Sequence, residues 1–516
     1  MVAVSIILTG IFISLFSILL LKLERLRRNI DRLGGPKSLP IIGNVHQLKR
    51  NPKEFTKQLL QLFDDFSHLQ VFRLLIGWHP MIFVCSPEVA EPLLNSSSHL
   101  DKSSDYRFIQ PWLGTGLLTS TGEKWKSRRK LLTPSFHFKI LHNFVGVFNE
   151  QAKVLLEKMT AHADGKTVYN VFDDITLCAL DIICETAMGR SINAQRNSDS
   201  EYVQAVCKMS EYTILRARTP WLWSDFLFNL IGPGKDYTRC LSILHDFTEK
   251  VIQERQAEFI TRHNSDTTME KLIEEKGEDN SVGTKKRLAF LDMLLCATEG
   301  PQKLTYEDIR EEVDTFMFEG HDTTATASSW ALHFIGANPE VQRKVHEEMD
   351  RIFGKNDRDV TIDDLKEMKY LECCIKESLR IFPSVALFGR SLTEDTVIGG
   401  VNIAKDTTVV IASAAIHRNR NIYPDSLKYD PDRFLPENSV SRHPFAFIPF
   451  SAGGRNCIGQ KFAVLEEKVI LSTIFRNFNV KSTQKREELC PLLELMLKPA
   501  NGIDVILTKR NRETLT

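Results

Sequence analysis

The longest unbroken pattern in the chain constrains it most. Helical periodicity begins near residue 305 and runs to about 337, where Asn338-Pro339 ends it. The same periodicity dominates residues 137–260 and returns over about 362–381. Strand signals are sparse. Residues 69–85 (LQVFRLLIGWHPMIFVC) read as two strands around a Gly77–Pro80 turn, and 396–411 alternate enough for a small sheet. Residues 263–287 are polar and charged, which predicts a surface loop between helices. No internal repeat is present. The expected fold is mainly α with minor β, as a single large domain within the 516 residues.

Charge and cysteine content exclude some classes. Lysine plus arginine and aspartate plus glutamate number 66 each, so nothing supports bulk nucleic-acid binding. Ten cysteines are scattered without a CxxC or zinc-like spacing, which suits a reducing compartment. The N-terminus is different in kind. Val2 to Leu21 contains no charged residue, and about 20 apolar residues match a bilayer's hydrocarbon thickness. Lys22, Arg25, Arg27, Arg28 and Arg32 follow and orient the rest toward the cytoplasm. A cleaved signal peptide fits poorly, because a charged leading region and a small-residue cleavage site are missing. The expected organisation is a transmembrane anchor over 1–22, a basic and Pro/Gly hinge over 23–44 (ending GGPKSLPIIGN), and the folded domain over 45–516.

Four short stretches carry chemistry. Within the long helix, FMFEGHDTTATASSW (316–330) places Gly320, Asp322 and Thr323 between strongly apolar flanks. Threonine hydroxyls there can bond back to the i−4 carbonyl. Gly320 costs about 1 kcal/mol relative to alanine, so a local widening beside an acid and a hydroxyl leaves room for a small ligand. KESLRIFP (376–383) sets Glu377 and Arg380 on one helix face, and YDPDRF (429–434) supplies Arg433 as a third member of an ion network. Alone, such a pair is usually surface decoration. WKSRRK (125–130) places Trp125 and Arg129 at i, i+4, which suits a buried anion, although by itself the stretch reads more readily as a basic surface helix with one anchoring tryptophan. FSAGGRNCIG (450–459) puts Cys457 after two glycines and at a helix start, where N–H groups favour a thiolate; a buried structural cysteine fits the stretch alone as well.

Taken together and in order, these pieces resemble the haem-thiolate monooxygenases, the cytochromes P-450, over essentially the whole chain. GEKWKSRRKLLTPSFHFKIL (122–141), EVDTFMFEGHDTT (312–324) and ICETAMG (183–189) look like family 4, a group rich in fatty-acid ω-hydroxylases. The resemblance implies a cytochrome P-450 fold over 45–516 and haem iron held by Cys457 as axial thiolate. It implies that Trp125, Arg129, Arg390 and Arg455 meet the haem propionates, with Phe450 and Gly459 in the same cofactor-binding loop. Gly320 would leave space for dioxygen, while Asp322 and Thr323 would relay protons to it. Glu319 stands where the wider superfamily has a small residue, and in family 4 this acid can form an ester to a haem methyl.

The implied reaction uses dioxygen and electrons from NADPH, through a cytochrome reductase with cytochrome b5 as a further partner, at the endoplasmic reticulum membrane. Lys126, Arg128, Lys130 and Lys461 are the expected docking face. Substrate walls are expected near 106–120, 205–240, 384–388 and 491–498, including Phe108, Leu117, Val385, Leu387, Leu492 and Met496. The expected substrate is the ω-end of a fatty acid or related lipid. The alternative is a family 4 oxidase of terpenoid or steroid hormones or of foreign compounds. A peroxide isomerase without a reductase and a haem sensor are the readings from other classes.

Overall fold

The computed structural model describes residues 30–197, 201–262, 290–297 and 304–511, with scattered positions between 6 and 21. Most of the expected anchor, 1–22, and the polar stretch 263–287 lie outside the described residues. Among the described residues no helix is long and apolar enough to cross a membrane.

Eight helices frame the molecule: α1 (Gly122–Leu132), α2 (Phe138–Ala161), α3 (Phe172–Thr186), α4 (Glu201–Ala217), α5 (Gly234–Arg262), α6 (Tyr306–Ala337), α7 (Lys369–Ile381) and α8 (Gln460–Asn477). The long pattern at 305–337 is α6. Thr305 and Asp308 close a reciprocal cap at its start, and the Asn338 side chain donates to the Phe334 carbonyl at its end. Buried residues lie all round α6, as expected of a helix in the middle of a core. It packs on α3, α5, α7 and α8.

Strands are β1 (Val71–Ile76), β2 (His79–Val84), β3 (Asp164–Asn170), β4 (Phe388–Ser391), β5 (Thr396–Ile398), β6 (Val401–Ile403), β7 (Thr408–Ile411), β8 (Phe478–Ser482), β9 (Pro491–Leu493), β10 (Leu497–Pro499) and β11 (Asp504–Lys509). The turn at Gly77 joins β1 to β2 as expected.

Three expectations change in detail. The alternation at 396–411 does not form one sheet. β5 and β6 make a hairpin, while β7 runs parallel to β2 inside a four-stranded sheet of order β1-β2-β7-β4. All four β7 residues are buried, so partners on both sides decide its place. The helical stretch 137–260 is interrupted by β3, which pairs with β11 near the far end of the chain. The pattern at 362–381 breaks at Met368 into Ile362–Glu367 and α7. Glu348 explains the break, because its carboxylate accepts from the backbone N–H of Tyr370 and Leu371 and caps α7 from outside.

The Pro/Gly segment is fixed to the fold. Arg73 donates to the Pro36 carbonyl at 2.7 Å, and Asn44 pairs with Leu75 through both backbone and side chain. Asn44 therefore ties the end of this segment to the β1 edge of the sheet.

Candidate functional site

The middle of α6 meets the loop before α8 across a cavity of about 210 Å³. Each side has a local reason for its shape. In the loop, Gly453 has φ +68°, and a Cβ there would fall 1.8 Å from the Leu94 carbonyl oxygen, so no other residue fits. Gly454 has ordinary space around it. The Cys457 N–H donates to the Phe450 carbonyl at 2.9 Å, which folds 450–457 into a tight bracket. Gly459 then opens α8, and its Cα side lies against the Cys457 sulfur.

On α6, Thr323 Oγ1 donates to the Glu319 carbonyl at 2.6 Å, and Thr324 Oγ1 to the Gly320 carbonyl at 2.7 Å. These are the expected i−4 bonds, and α6 runs through them without interruption. A Cβ at Gly320 would stand 2.6 Å from two carbons of Ile183. The glycine thus lets α3 close on α6, and both residues line the cavity.

Ten of the eleven expected site residues come together. Cys457, Gly459, Phe450 and Arg455 form one wall with Trp125 and Arg129, while Glu319, Gly320 and Thr323 form the opposite wall, and Arg390 closes one end. Arg129 donates twice to Asn456, at 2.7 Å each, and so ties α1 to the residue before the cysteine. Arg455 donates to the carbonyls of Leu100 and Ser120 at 2.8 Å and lies 4.7 Å over the Trp125 ring.

Asp322 is the exception. It is buried, does not line the cavity, and pairs with Lys498 at 2.8 Å. Its second oxygen has no hydrogen-bond partner among the described residues.

The structure adds Lys102 and Tyr106. Lys102 Nζ donates to the Tyr106 hydroxyl at 3.2 Å, and an isolated bridge sets the Lys102 backbone beside Arg390. Tyr106 stands at the start of the expected wall 106–120, whereas nothing in DKSSDYRF (101–108) marks Lys102, because its place depends on that long-range pairing.

The expected substrate walls are met in part. Leu117, Val385 and Met496 line the cavity, but Phe108, Leu387 and Leu492 do not, and neither does any residue of 205–240. Phe108 instead packs beneath Trp223 and Arg216. Arg128 also departs from expectation. It is buried, paired with Asp308 and facing Glu312, and so leaves the proposed docking face to Lys126, Lys130 and Lys461.

The charges at the closed end do not balance. Burial lowers the Lys102 ammonium well below its usual range, and Arg390 and Arg455 push it further down. Burial and the neighbouring Arg390 lower Arg455 to about 9. Asp101 and Glu319 act against this on Arg455, and Glu319 itself is pushed up to about 7 by burial, with Lys102 and Arg455 pulling it back. Cys457 opens onto the cavity, and desolvation by the surrounding protein together with Glu319 pushes its thiol up to about 12, against backbone N–H groups of Gly459 and Gln460 and the Arg129 guanidinium. Three crowded cations require anions, and a thiolate at this sulfur requires a cation beside it. A flat group with a metal at its centre and carboxylates at one edge satisfies both needs, and haem is such a group.

The Cytochrome P450 family model matches residues 33–507. The chain belongs to the cytochrome P450 family. Cytochrome P450 4V2 of Mus musculus is 49% identical over 520 residues, covering 99% of this chain and 96% of that protein. Cytochrome P450 4V2 of Homo sapiens is 49% identical over 92% of this chain and 89% of its own length. Cytochrome P450 4c3 of Drosophila melanogaster is 46% identical over 95% and 91%. These relatives place the chain in family 4 of the cytochromes P450. It is a haem-thiolate monooxygenase, with a cysteine as axial ligand to iron protoporphyrin, and its reaction joins a reductase partner, dioxygen and an apolar substrate.

Proposed function

We propose that this P450 hydroxylates the ω-end of a fatty acid or related lipid. The observation that carries the reading is the cavity itself. Cys457 stands on one wall, Glu319 and Thr323 on the other, and the cations are confined to one end. Much of the remaining lining is apolar, including Leu117, Val385 and Met496, which suits an alkyl chain.

Each residue has a role in this reading. Cys457 would ligate the haem iron, and the N–H groups of Gly459 and Gln460 would stabilise its thiolate. Trp125, Arg129, Arg390 and Arg455, which line the cavity, would hold the haem propionates, with Lys102 as a further cation at the same end. When bound, haem supplies the reductive chemistry of dioxygen, using electrons from NADPH delivered by a reductase, with cytochrome b5 as a second donor. Thr323 spends its hydroxyl proton on the Glu319 carbonyl, so its oxygen lone pairs face the cavity as acceptors. Asp322, the preceding residue, is the acid of this relay. Glu319 is placed at the cavity edge for an ester to a haem methyl, and a carboxyl group there narrows the space toward a terminal carbon. Acid extraction that leaves haem on the wild-type chain and frees it from Glu319→Gln is the expected sign of that bond.

Membrane attachment belongs to the same reading. Besides the apolar span at 1–22, exposed Ile41, Ile42, Trp78 and Trp221 share one surface, since Gly77 approaches Pro220 and the Ile41 carbonyl. Trp78 also packs edge-on against Trp223, and exposed Phe226, Leu230 and Ile231 follow in the next helix. A cluster of exposed tryptophans and aliphatics suits the endoplasmic reticulum lipid interface, with the domain facing the cytoplasm.

The test is turnover with NADPH and reductase on a chain-length series of fatty acids, with products mapped by carbon position. Mainly terminal alcohols are expected. Enzyme whose reduced carbon monoxide spectrum shows intact thiolate ligation but which yields no fatty-acid product would move the search to terpenoid, steroid or foreign substrates.

A further inference from the structure

Lys498 lies in β10, on the hairpin β9–β10 that supplies Met496 to the cavity wall. Its side chain is almost completely buried, and its ammonium meets Asp322 Oδ1 at 2.8 Å. A buried ion pair rarely stabilises a fold more than apolar residues of the same size, so its presence asks for another reason. Burial works against the Lys498 charge, yet Asp322, Cys207 and Glu494 together hold its pKa above the usual lysine range. The ammonium is therefore a permanent charge beside the acid. The strand that carries it is pinned from two sides. Trp330 of α6 donates to the Leu497 carbonyl at 2.8 Å, and the Leu497 N–H donates to the Ser384 carbonyl at 2.8 Å. Ser384 in turn donates its hydroxyl to the Thr323 carbonyl at 2.9 Å. The hairpin, Ser384, Thr323 and Asp322 thus form one closed ring of contacts around the proton-handling end of α6.

We propose that Lys498 is a positioning residue for oxygen activation: it holds one carboxylate oxygen of Asp322, so that the other, unpartnered oxygen keeps a single orientation for exchange with Thr323. The proposal rests on the proton-handling reading of Asp322. It also ties that acid to the substrate wall, since Met496 and Lys498 share the hairpin. Without the ammonium, the Asp322 carboxylate has no fixed orientation, directed proton delivery fails, and dioxygen that has taken two electrons from NADPH and two protons from solvent leaves as hydrogen peroxide instead of being cleaved.

The experiment compares Lys498→Met, Lys498→Arg, Asp322→Asn and the double variant Asp322→Asn/Lys498→Met, each as haem-loaded enzyme with intact reduced carbon monoxide spectrum. Product and peroxide are measured per NADPH, with the solvent deuterium effect on turnover. Lys498→Met is expected to lower kcat fivefold or more at unchanged KM, to divert NADPH to peroxide and to enlarge the solvent effect. Lys498→Arg is expected to restore most of the coupling. The double variant, which folds without a stranded charge, is expected to lose no more than Asp322→Asn alone. Wild-type coupling in Lys498→Met, or a double variant clearly worse than Asp322→Asn, overturns the proposal. Where Lys498→Met does not yield loaded enzyme, the double variant and Lys498→Arg decide it. Wild-type turnover in Asp322→Asn would instead remove the proton-handling reading itself.

Discussion

Two clusters of buried charge in this molecule are built on opposite plans. In the first, Arg380 and Glu377 face each other on α7 through two bonds of 2.7 and 2.8 Å, both fully buried. Every remaining donor of Arg380 is used by the carbonyls of His417, Ser426 and Lys428, and Glu377 also accepts from the Asp430 N–H, with Arg433 at 3.5 Å. This cluster is closed on itself. In the second, Lys102 and Arg455 face Glu319, Asp101 adds a second acid beside Arg455, and Arg390 depresses the charge of both Lys102 and Arg455. This cluster is open, and its missing anions must come from a ligand. A closed buried network organises the chain, whereas an open one marks where something binds.

The contrast is broken most severely at the closed cluster. Glu377→Ala leaves Arg380 buried without its partner and is expected to cost about 3–5 kcal/mol. Chemical denaturation of the loaded enzyme should show it, or the variant should fail to accumulate folded. At the open cluster, Arg390→Met removes a cation that crowds its neighbours in the bare chain. Stability of the fold should therefore change little, while haem is lost roughly tenfold faster or more, as for removal of one charge-assisted partner worth about 1.5–3 kcal/mol. Transfer of haem to an acceptor protein measures that rate. If Arg390→Met unfolds the protein as Glu377→Ala does, the distinction between the clusters fails.

A third network sharpens the comparison through pH. Glu312 is fully buried, accepts from the Leu117 N–H at 3.0 Å, and is pushed up to about 7 by burial, with Arg128 pulling it down. A carboxyl group raised in the fold favours folding while protonated. Its contribution is complete below the ordinary value of 4.5 and is lost as pH rises through about 7. Glu312→Gln is expected to flatten the fall of the unfolding midpoint across that window. The smallest effect is expected from an exposed pair. Lys366 and Asp363 meet at 2.8 Å in solvent, and Lys366→Ala should leave the midpoint where it was, since screening and side-chain entropy cancel most of such a contact.

How far each cluster can be read from sequence follows from the same plans. Glu377 and Arg380 sit on one helix face, so helical spacing alone brings them together, although nothing local says that they are buried. Arg129 and Trp125 are legible for the same reason, and Cys457 is legible because its bracket is a continuous stretch. Arg390 is legible only through resemblance to a family, and Lys102 is not legible at all. Their meeting depends on a bridge between segments far apart in the chain. Arg128 reads as a surface residue in the sequence, because a basic helix face cannot show that Asp308 and Glu312 approach it from α6.

The sequence by itself determined the long central helix, its caps, the i−4 threonine bonds, the constrained cysteine loop and the family. These depend on residues within a few turns of one another, where backbone geometry and spacing leave few choices. Tertiary structure alone decided that β7 leaves its neighbours for β2, that Gly320 is required by Ile183 of α3, and that Lys102 joins the open cluster. It alone set Asp322 against Lys498 instead of the cavity. These are contacts between distant segments, and burial there is shared by both partners, so neither segment carries the information alone.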